Sequence, residues 1–270
     1  MLIVACIKQV PDTTQVKIDP VTGTLIREGV PFIMNPFDTH ALEESLRLKD
    51  KYGLRVAVIS MGPPNTEVTL RKALAVGADE AILLSDRAFG GADTLATSKV
   101  LAEAIARLAQ KEEIALVICG KQTIDGDTAQ VGPGIASRLS YTQLTLVDHI
   151  YSLDLDARKI KCRRKLEGRH EVVEASLPAM ISVLREINHP RYPIVPMRLM
   201  AQNATVALWD NKVMQLDKET IGLNGSATQV RKIFSPERAK GEVLGEGISD
   251  PDKVAQLLIG KLVEKDLLFI

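Results

Sequence analysis

The sequence predicts an α/β protein whose core is a doubly wound parallel sheet, followed by an irregular C-terminal arm and a terminal helix. Two observations predict this fold class. Continuous apolar runs, such as residues 55–61 and 114–119, have the pattern of strands that are buried on both faces of a parallel sheet. Segments of helical periodicity separate these runs, so strands and helices alternate along the chain. Such alternation predicts right-handed crossovers with helices on both faces of the sheet.

The first half of the chain carries most of this pattern. The expected strands cover residues 2–7, 55–61, 80–84 and 114–119, and the expected helices cover residues 36–52, 66–76 and 95–110. Gly53 and Gly77 should end the first two helices, because glycine adopts the left-handed conformation of a helix C-terminus without strain. Asp93 or Thr94 should cap the third. Alternating segments around a turn at residues 19–23 predict a small exposed hairpin.

The loop that follows residue 119 has the composition of a phosphate-binding site. A polar stretch leads into a helix of small residues, with Asp127 as the expected N-cap and Gln130 as its capping-box partner. Free N–H groups and the positive end of the helix dipole at that start suit a phosphate. Three glycines, which have no Cβ, should let a ligand or a neighbouring strand approach closely: Gly126, Gly132 and Gly134.

Doubly wound sheets bind ligands beyond the carboxyl ends of their strands, where the winding reverses. Four loops leave those ends here, namely residues 6–9, 61–63, 86–94 and 120–130. We therefore expect all four loops to line one crevice that binds an adenine nucleotide, as in Rossmann-like folds.

The pattern changes after residue 139. Irregular strands are expected at residues 144–151, 159–166 and 171–175, and the apolar run at residues 178–183 is a candidate to rejoin the main sheet. Residues 189–196 contain too many prolines for regular structure.

The remainder is expected to be an extended arm. Residues 202–247 contain only short apolar runs, so we expect a nucleotide-binding domain over residues 1–200 and an arm over residues 201–270. An amphipathic helix over residues 250–265 closes the chain; its apolar row is Val254, Leu257, Leu258, Leu262 and Val263. The pattern alone leaves open whether this helix packs on its own domain or on a partner. We predict the partner, because the arm has too little apolar content to form its own core.

Composition excludes several classes of function. Lysine plus arginine and aspartate plus glutamate both total 34, so no bulk charge recruits nucleic acid or an anionic membrane. The three cysteines form no C-x-x-C pair, so no metal site is expected, and free cysteines fit a reducing cytoplasm. No segment approaches the ~20 apolar residues needed to span a bilayer. We expect a cytoplasmic protein without membrane insertion.

Several motifs resemble the β subunit of electron-transfer flavoproteins, and the resemblance covers nearly the whole chain. The motifs are Cys6-Ile7-Lys8-Gln9-Val10, Met34-Asn35-Pro36-Phe37-Asp38, Met61-Gly62-Pro63, Gly120-Lys121-Gln122-Thr123-Ile124-Asp125-Gly126-Asp127 and Asn188-x-Pro190-Arg191-Tyr192. Residues 164–181 are close to the family's signature. The loop that reads DGDTAQVGP, residues 125–133, resembles the electron-bifurcating branch, whose β subunit binds a second FAD.

The resemblance implies a heterodimer with an electron-transfer flavoprotein α subunit. This chain would bind FAD, accept a hydride from NADH, and send one electron to a low-potential ferredoxin or flavodoxin and one to the α-subunit FAD. That FAD would reduce an acyl-CoA dehydrogenase, which the loop around Val195 would recognise. The chain would be an enzyme as a subunit of this NADH-oxidising complex, with no catalytic side chain of its own, because the flavin carries out the redox chemistry.

The resemblance also implies which residues bind the cofactor. They are Cys6, Asn35, Pro36, Phe37, Asp38, Met61, Gly120, Lys121, Gln122, Thr123, Ile124, Asp125, Gly126, Asp127, Thr128, Ala129, Gln130 and Val131, to which the adjacent loop adds Asp93 and Thr94. Gly126 and Ala129 carry little bulk beside the pyrophosphate, which favours FAD over AMP. Cys6 and Cys119 are more typical of small core residues than of reactive groups.

Two other interpretations remain open. One is a non-bifurcating β subunit that holds AMP as a structural ligand. The other is an ATP-binding regulatory module on the same fold. A related ATP pyrophosphatase would need an S-G-G-x-D-S loop after the first strand, and residues 8–12 do not form one.

Overall fold

The computed structural model describes residues 1–12, 17–18, 25–26, 31–229, 241–245 and 250–268. Within them the strands are β1 (Leu2–Cys6), β2 (Gln9–Pro11), β3 (Lys17–Ile18), β4 (Leu25–Ile26), β5 (Phe32–Met34), β6 (Arg55–Met61), β7 (Glu80–Leu84), β8 (Ile114–Gly120), β9 (Thr142–Asp154), β10 (Lys159–Leu166), β11 (Arg169–Ser176), β12 (Ala179–Val183) and β13 (Ala207–Trp209). The α-helices are α1 (Pro36–Tyr52), α2 (Glu67–Ala75), α3 (Thr94–Ala109), α4 (Val131–Leu139), α5 (Val195–Asn203), α6 (Asn211–Met214) and α7 (Pro251–Glu264).

Nine of the described strands form one sheet, in the order β11-β10-β9-β12-β8-β1-β6-β7-β13. The neighbours from β9 to β13 in this order pair in parallel, whereas β10 is antiparallel to both β9 and β11. From β1 the chain winds to β6 and β7 on one side, and then to β8 and β12 on the other. The doubly wound fold is confirmed, and the winding reverses beside β1.

Alternate residues of the central strands supply two separate cores. On one face, Ile3 and Ala5 pack with α1 and α2, and on the other face Leu2 and Val4 pack with α3 and α4. Because helices cover both faces, every residue of β1 is buried, which explains its continuous apolar sequence. Helix α1 ends at Gly53, whose φ of 68° lies in the left-handed region, as predicted.

The second half of the chain extends this sheet. Strand β12 lies between β8 and β9 and rejoins the main sheet, which confirms the interpretation of its apolar run. Strands β9, β10 and β11 continue the sheet at one edge, with register shifts in β9 that explain the irregular pattern. The proline-rich segment has no regular structure up to residue 194, but α5 begins at Val195, because a proline fits the first turn of a helix.

The expected boundary near residue 200 lies inside a compact unit. The chain divides into two units, Met1–Arg231 and Lys232–Ile270. Strand β13 pairs in parallel with β7 as a sheet edge, and Trp209 packs in the core formed by α3 and α4. Residues 201–229 therefore belong to the first unit, although a strand of three residues leaves little periodic signal in the sequence.

Two peripheral elements also match the sequence patterns. Strands β3 and β4 pair in antiparallel fashion, as expected for a hairpin, and the turn between them lies outside the described residues. In the second unit, α7 confirms the expected terminal helix, with Asp250 accepting a hydrogen bond from Lys253 N at 3.2 Å as its N-cap. No residue of α7 is buried. Among the described helices, none is long and apolar enough to cross a membrane.

Candidate functional site

A crevice of about 810 Å³ lies beyond the carboxyl ends of β1, β6, β7 and β8. All four expected loops meet there, with Cys6, Met61, Asp93 and Gly120 each contributing to the lining. The volume lies within the range of small-molecule and cofactor sites, which is roughly 300–1,000 Å³. The position follows from the winding, because the loops after β1 and β8 separate to opposite faces of the sheet.

Most of the residues expected to bind the cofactor line this crevice. They are Cys6, Asp38, Met61, Asp93, Thr94, Gly120, Lys121, Gln122, Thr123, Gly126, Thr128, Ala129, Gln130 and Val131. The others are not part of the lining, and they are Asn35, Pro36, Phe37, Ile124, Asp125 and Asp127.

Asn35 holds the loop between β8 and α4 from behind. Its side chain is fully buried; Nδ2 donates to the carbonyl of Gln122 at 2.9 Å, and Oδ1 accepts from the N–H of Ile124 at 3.2 Å. Both contacts are to backbone groups of residues expected to touch the ligand. Asn35 therefore shapes the loop and does not face the crevice.

Asp38 joins the ends of β1 and β8. Its carboxylate accepts from the N–H of Lys8 at 2.8 Å and from the N–H of Gly120 at 3.0 Å, one donor for each oxygen. Burial raises the pKa of Asp38 to about 7, although hydrogen bonds from Asn35, Lys8 and Gly120 act in the opposite direction. Phe37 packs behind the same strand end, where a Cβ on Gly120 would lie 2.6 Å from the Phe37 Cβ.

The expected capping box at Asp127 is wrong. Helix α4 begins at Val131, and Gln130 occupies its N-cap position without a side-chain hydrogen bond to the helix. Asp127 instead has φ of 52° and accepts a hydrogen bond from Gln122 Nε2 at 2.7 Å. Since Asp127 and Ala129 both adopt left-handed backbone conformations, a right-handed helix cannot start before them.

The uncapped start of α4 offers donors to an anion. In the first turn of a helix the N–H groups have no intrahelical acceptor, and here Val131 and Gly132 both line the crevice. The third helical residue, Pro133, has no N–H, so it leaves no unsatisfied donor at that position. Together with the helix dipole, this end of α4 favours a phosphate in the crevice.

The glycines of this region have different roles. A Cβ on Gly132 would lie 2.7 Å from Cys119 Sγ, and one on Gly134 would lie 2.7 Å from Ser98 Oγ. These two glycines therefore let α4 pack closely on β8 and α3. At Gly126 the added carbon would lie 3.3 Å from Thr123 Oγ1, a close contact that a small shift of that side chain relieves, and Gly126 lines the crevice, so it is the least obstructed of the three glycines.

Two side-chain contacts between loops close the remaining sides of the crevice. The Lys8 ammonium pairs with Asp125 at 2.7 Å, and Thr94 Oγ1 donates to Gln130 Oε1 at 2.8 Å. The first contact connects the loops after β1 and β8, and the second connects the start of α3 to the start of α4. Exposed ion pairs such as the first contribute about 0–1 kcal/mol, so they set geometry more than stability.

The two cysteines at the base of the crevice are buried and have raised thiol pKa values. Cys6 and Cys119 are Cα partners in the neighbouring strands β1 and β8, and both are buried. Burial raises the pKa of Cys119 to about 12 and raises the pKa of Cys6 well above its usual value. Both therefore remain neutral thiols near pH 7, in agreement with their interpretation as small core residues.

Sequence reasoning missed part of the lining. Lys8, Arg87, Phe89 and Leu101 also line the crevice. Lys8 and Arg87 lie in the loops that were expected to meet. Their position shortly after a strand was the signal that could have identified them as lining residues. The described residues contain no group of three or more His, Cys, Asp or Glu side chains that could hold a metal ion.

Comparison with known proteins identifies the family. The model of the electron transfer flavoprotein domain matches residues 22–213. This chain belongs to the electron transfer flavoprotein family. It is 48% identical over 266 residues to the electron transfer flavoprotein subunit beta of Clostridium acetobutylicum, an alignment that covers 98% of this chain and 99% of the relative.

Two further relatives carry other names. Protein FixA of Azotobacter vinelandii is 47% identical over 262 residues, covering 96% of this chain and 93% of that protein. The caffeyl-CoA reductase-Etf complex subunit CarD of Acetobacterium woodii is 45% identical over 269 residues, covering 99% of this chain and all of the relative.

In this electron transfer flavoprotein chain, the segment around Val195 is an exposed apolar surface. Tyr192 is 92% exposed, Val195 70% and Met200 74%. Arg191 fixes the base of this segment to α1, since its guanidinium and its N–H both donate to the buried Glu43 carboxylate. An exposed apolar surface of this kind is typical of protein–protein contact sites.

Proposed function

We propose that this chain is the FAD-binding β subunit of a cytoplasmic, electron-bifurcating electron-transfer flavoprotein. The supporting observation is the crevice beside β1, whose lining combines the uncapped start of α4 with the small residue Gly126. A crevice of about 810 Å³ is at the upper end of the range for cofactor sites, which favours a dinucleotide over the much smaller AMP.

The chain's own residues would bind and orient the cofactor. Val131 and Gly132, at the start of α4, line the crevice, so their N–H groups would bind the pyrophosphate, and the loop held by Asn35 would form the adjacent side. Bound FAD would supply the redox chemistry, taking a hydride from NADH and passing one electron to a low-potential ferredoxin or flavodoxin and one to the α-subunit FAD. No acid or base among the side chains is required for this role.

The proposed partners follow from the relatives and from the exposed surface. A β subunit requires an α subunit, and one relative is named as a subunit of a complex with a caffeyl-CoA reductase. We extend this to an acyl-CoA dehydrogenase that contacts the segment around Val195, where Tyr192 and Met200 are also exposed.

Counting cofactors tests the proposal directly. The heterodimer is purified, denatured, and its released flavin and AMP are quantified by chromatography. We expect two FAD per heterodimer, one from each chain. One FAD and one AMP would contradict bifurcation and favour the structural-AMP alternative.

A variant tests whether space at Gly126 selects FAD. Gly126→Leu should lower FAD affinity by at least tenfold, because the side chain enters the crevice, while AMP affinity changes little. Gly241→Leu is the matched control, since an added Cβ there meets nothing within 4 Å and the residue is far in sequence from the crevice loops. Equal losses of both nucleotides would show that Gly126→Leu disturbs the loop itself.

A further inference from the structure

One side of the crevice is formed by a single connection, the crevice loop (residues 85–94), which joins β7 to α3. Its lining residues include Arg87, Phe89 and Asp93. Against it packs a segment of the first unit that begins at the end of β13, which we call the brace (residues 209–228). Among the described residues of the brace, none lines the crevice. The brace therefore does not touch a ligand in the crevice directly, and the crevice loop lies between them.

The first end of the crevice loop is tied to the brace at Asp86. One carboxylate oxygen accepts from the N–H of Ala88 at 2.8 Å, within the loop. The other accepts from the N–H of Asn211 at 2.9 Å, in the brace. The hydrogen bonds between β7 and β13 extend up to the contact between Asp86 and Asn211, because Ser85 N donates to the Trp209 carbonyl at 3.3 Å.

The second end is tied in the same manner at Asp93. One oxygen caps α3 by accepting from the N–H of Ala96 at 3.0 Å. The other accepts from the N–H of Thr228 at 3.0 Å and from its hydroxyl at 3.1 Å. In addition, the Asp93 N–H donates to Ser226 Oγ at 2.8 Å. Hydrogen bonds from Ala96 and Thr228 outweigh the opposing effect of burial and lower the pKa of Asp93, so the carboxylate is ionised near neutral pH.

Close backbone packing joins the two ends. Gly222 has φ of 55°, and a Cβ there would collide with the carbonyl of Ala88. At Gly91 an added Cβ would lie 3.3 Å from Leu223 Cβ. The brace thus follows the back of the crevice loop from Asp86 to Asp93.

We propose that the brace is a positioning element for the nucleotide. Each of the two carboxylates uses one oxygen to order its own loop or helix and the other to accept an N–H from the brace. The loop is therefore held in its binding shape before the ligand arrives, and binding does not carry the cost of ordering it. This inference rests on the proposed function for the identity of the ligand.

The first test removes one brace N–H without touching the crevice loop. Asn211 is the first residue of α6, a position where proline is tolerated, and the preceding Asp210 is extended, as a residue before proline prefers. Asn211→Pro removes the N–H that donates a hydrogen bond to Asp86. Asn211→Ala is the matched control, because it also loses the side-chain contacts with Leu216 but keeps the N–H.

The second test acts at the other end. Ser226→Ala combined with Thr228→Val removes both hydroxyl contacts to Asp93. Thr220→Val is the control, since its hydroxyl donates to the Asp217 carbonyl within the brace. Restoring a hydroxyl with Thr228→Ser should recover part of the effect.

The measurements use the full-length chain. FAD and AMP are titrated to obtain Kd, deuterium uptake of residues 86–94 is followed without nucleotide, and thermal unfolding is recorded for each variant. We expect Asn211→Pro to raise Kd about tenfold over Asn211→Ala and to increase uptake in the crevice loop, with matched unfolding temperatures. The double variant should behave likewise against Thr220→Val.

The outcomes separate the two proposals. If the wild-type chain binds nucleotide and the variants bind it equally well, the brace is not a positioning element and the proposed function stands. If the wild-type chain binds neither nucleotide, both the proposed function and the brace's effect on affinity are overturned.

Discussion

Asp127 shows how a residue identified from sequence can have a different physical role. It was expected to cap a helix, but its left-handed backbone and its contact with Gln122 make it part of a tight turn. Asparagine and aspartate adopt this conformation more readily than alanine does. The nucleotide loop therefore depends on this residue through backbone conformation.

We predict that Asp127→Ala lowers the free energy of unfolding by about 1–2 kcal/mol, because alanine is strained at this backbone conformation and cannot accept from Gln122. It should also weaken FAD binding beyond what the lost stability explains. Asp127→Asn is the control, since it keeps both features. Urea unfolding and FAD titration measure the two effects, and identical values for the two variants would contradict the strained-turn explanation.

Asp38 should give the protein a specific pH dependence. Its pKa is raised to about 7 in the folded chain, so between about pH 4 and pH 7 the folded state binds more protons at this site than the unfolded state. Its contribution to stability is therefore fully present below about pH 4 and is lost as pH rises through about 7. A shift of this size corresponds to roughly 4 kcal/mol at most.

The test compares Asp38→Asn with wild type by urea unfolding from pH 4 to pH 8. The stability difference in favour of wild type should shrink as pH rises towards 7 and then become constant. The variant should also be less stable overall at low pH, because the amide turns an N–H toward one of the two backbone donors, Lys8 or Gly120. Parallel profiles would show that Asp38 does not titrate in this range.

At the scale of elements, the exposed segment around Val195 depends on its attachment to α1. Arg191 donates to Glu43, whose side chain is 7% exposed, and to Asp50, whose side chain is 58% exposed. Hydrogen bonds to a buried carboxylate contribute about 1.5–3 kcal/mol, whereas exposed ion pairs contribute about 0–1 kcal/mol. Substituting Glu43 or Asp50 therefore compares a buried and an exposed partner of the same arginine.

We predict that Glu43→Gln destabilises the chain by about 1–3 kcal/mol, and Asp50→Asn by less than about 1 kcal/mol. Urea unfolding of the full-length chain measures both. Association with a partner dehydrogenase should weaken more in Glu43→Gln, because only that change weakens the buried contact at the base of the segment. Equal destabilisation by the two variants would mean that the buried Glu43 contact does not hold the segment on α1. The proline-rich backbone would then be what holds it.

At the scale of the whole molecule, α7 has an apolar row and no buried residue. Leu257 and Leu258 are 45% and 48% exposed, and burying each such side chain contributes about 1.5–3 kcal/mol before ordering costs. We propose that the α subunit covers this row.

Deleting residues 250–270 should therefore weaken heterodimer assembly while the first unit stays folded. Sedimentation measures assembly, and thermal unfolding measures the first unit. Leu257→Asp with Leu258→Asp should reproduce the loss, whereas Gln256→Asp, an exposed change on the same helix, should not. Undiminished assembly of the truncated chain would mean that α7 does not contact the α subunit.

The sequence by itself determined the fold class and the place of the candidate site. Strands β1, β6 and β8 are buried on both faces, so they appear as continuous apolar runs, and Gly53 and Asp93 mark helix ends through local backbone chemistry. Since the carboxyl ends of parallel strands lie at one edge of a sheet, the four loops were expected to meet, and they do.

Only the tertiary structure decided how that crevice is supported. Asn35 and Asp38 hold it through backbone groups of loops that lie some 80–90 positions away in the chain, and Asp86 and Asp93 accept N–H groups from Asn211 and Thr228. Such contacts leave no periodicity in the sequence, because a single hydrogen bond between distant residues needs only one suitable side chain. The same reason hid β13, whose three residues join the sheet through long-range pairing with β7.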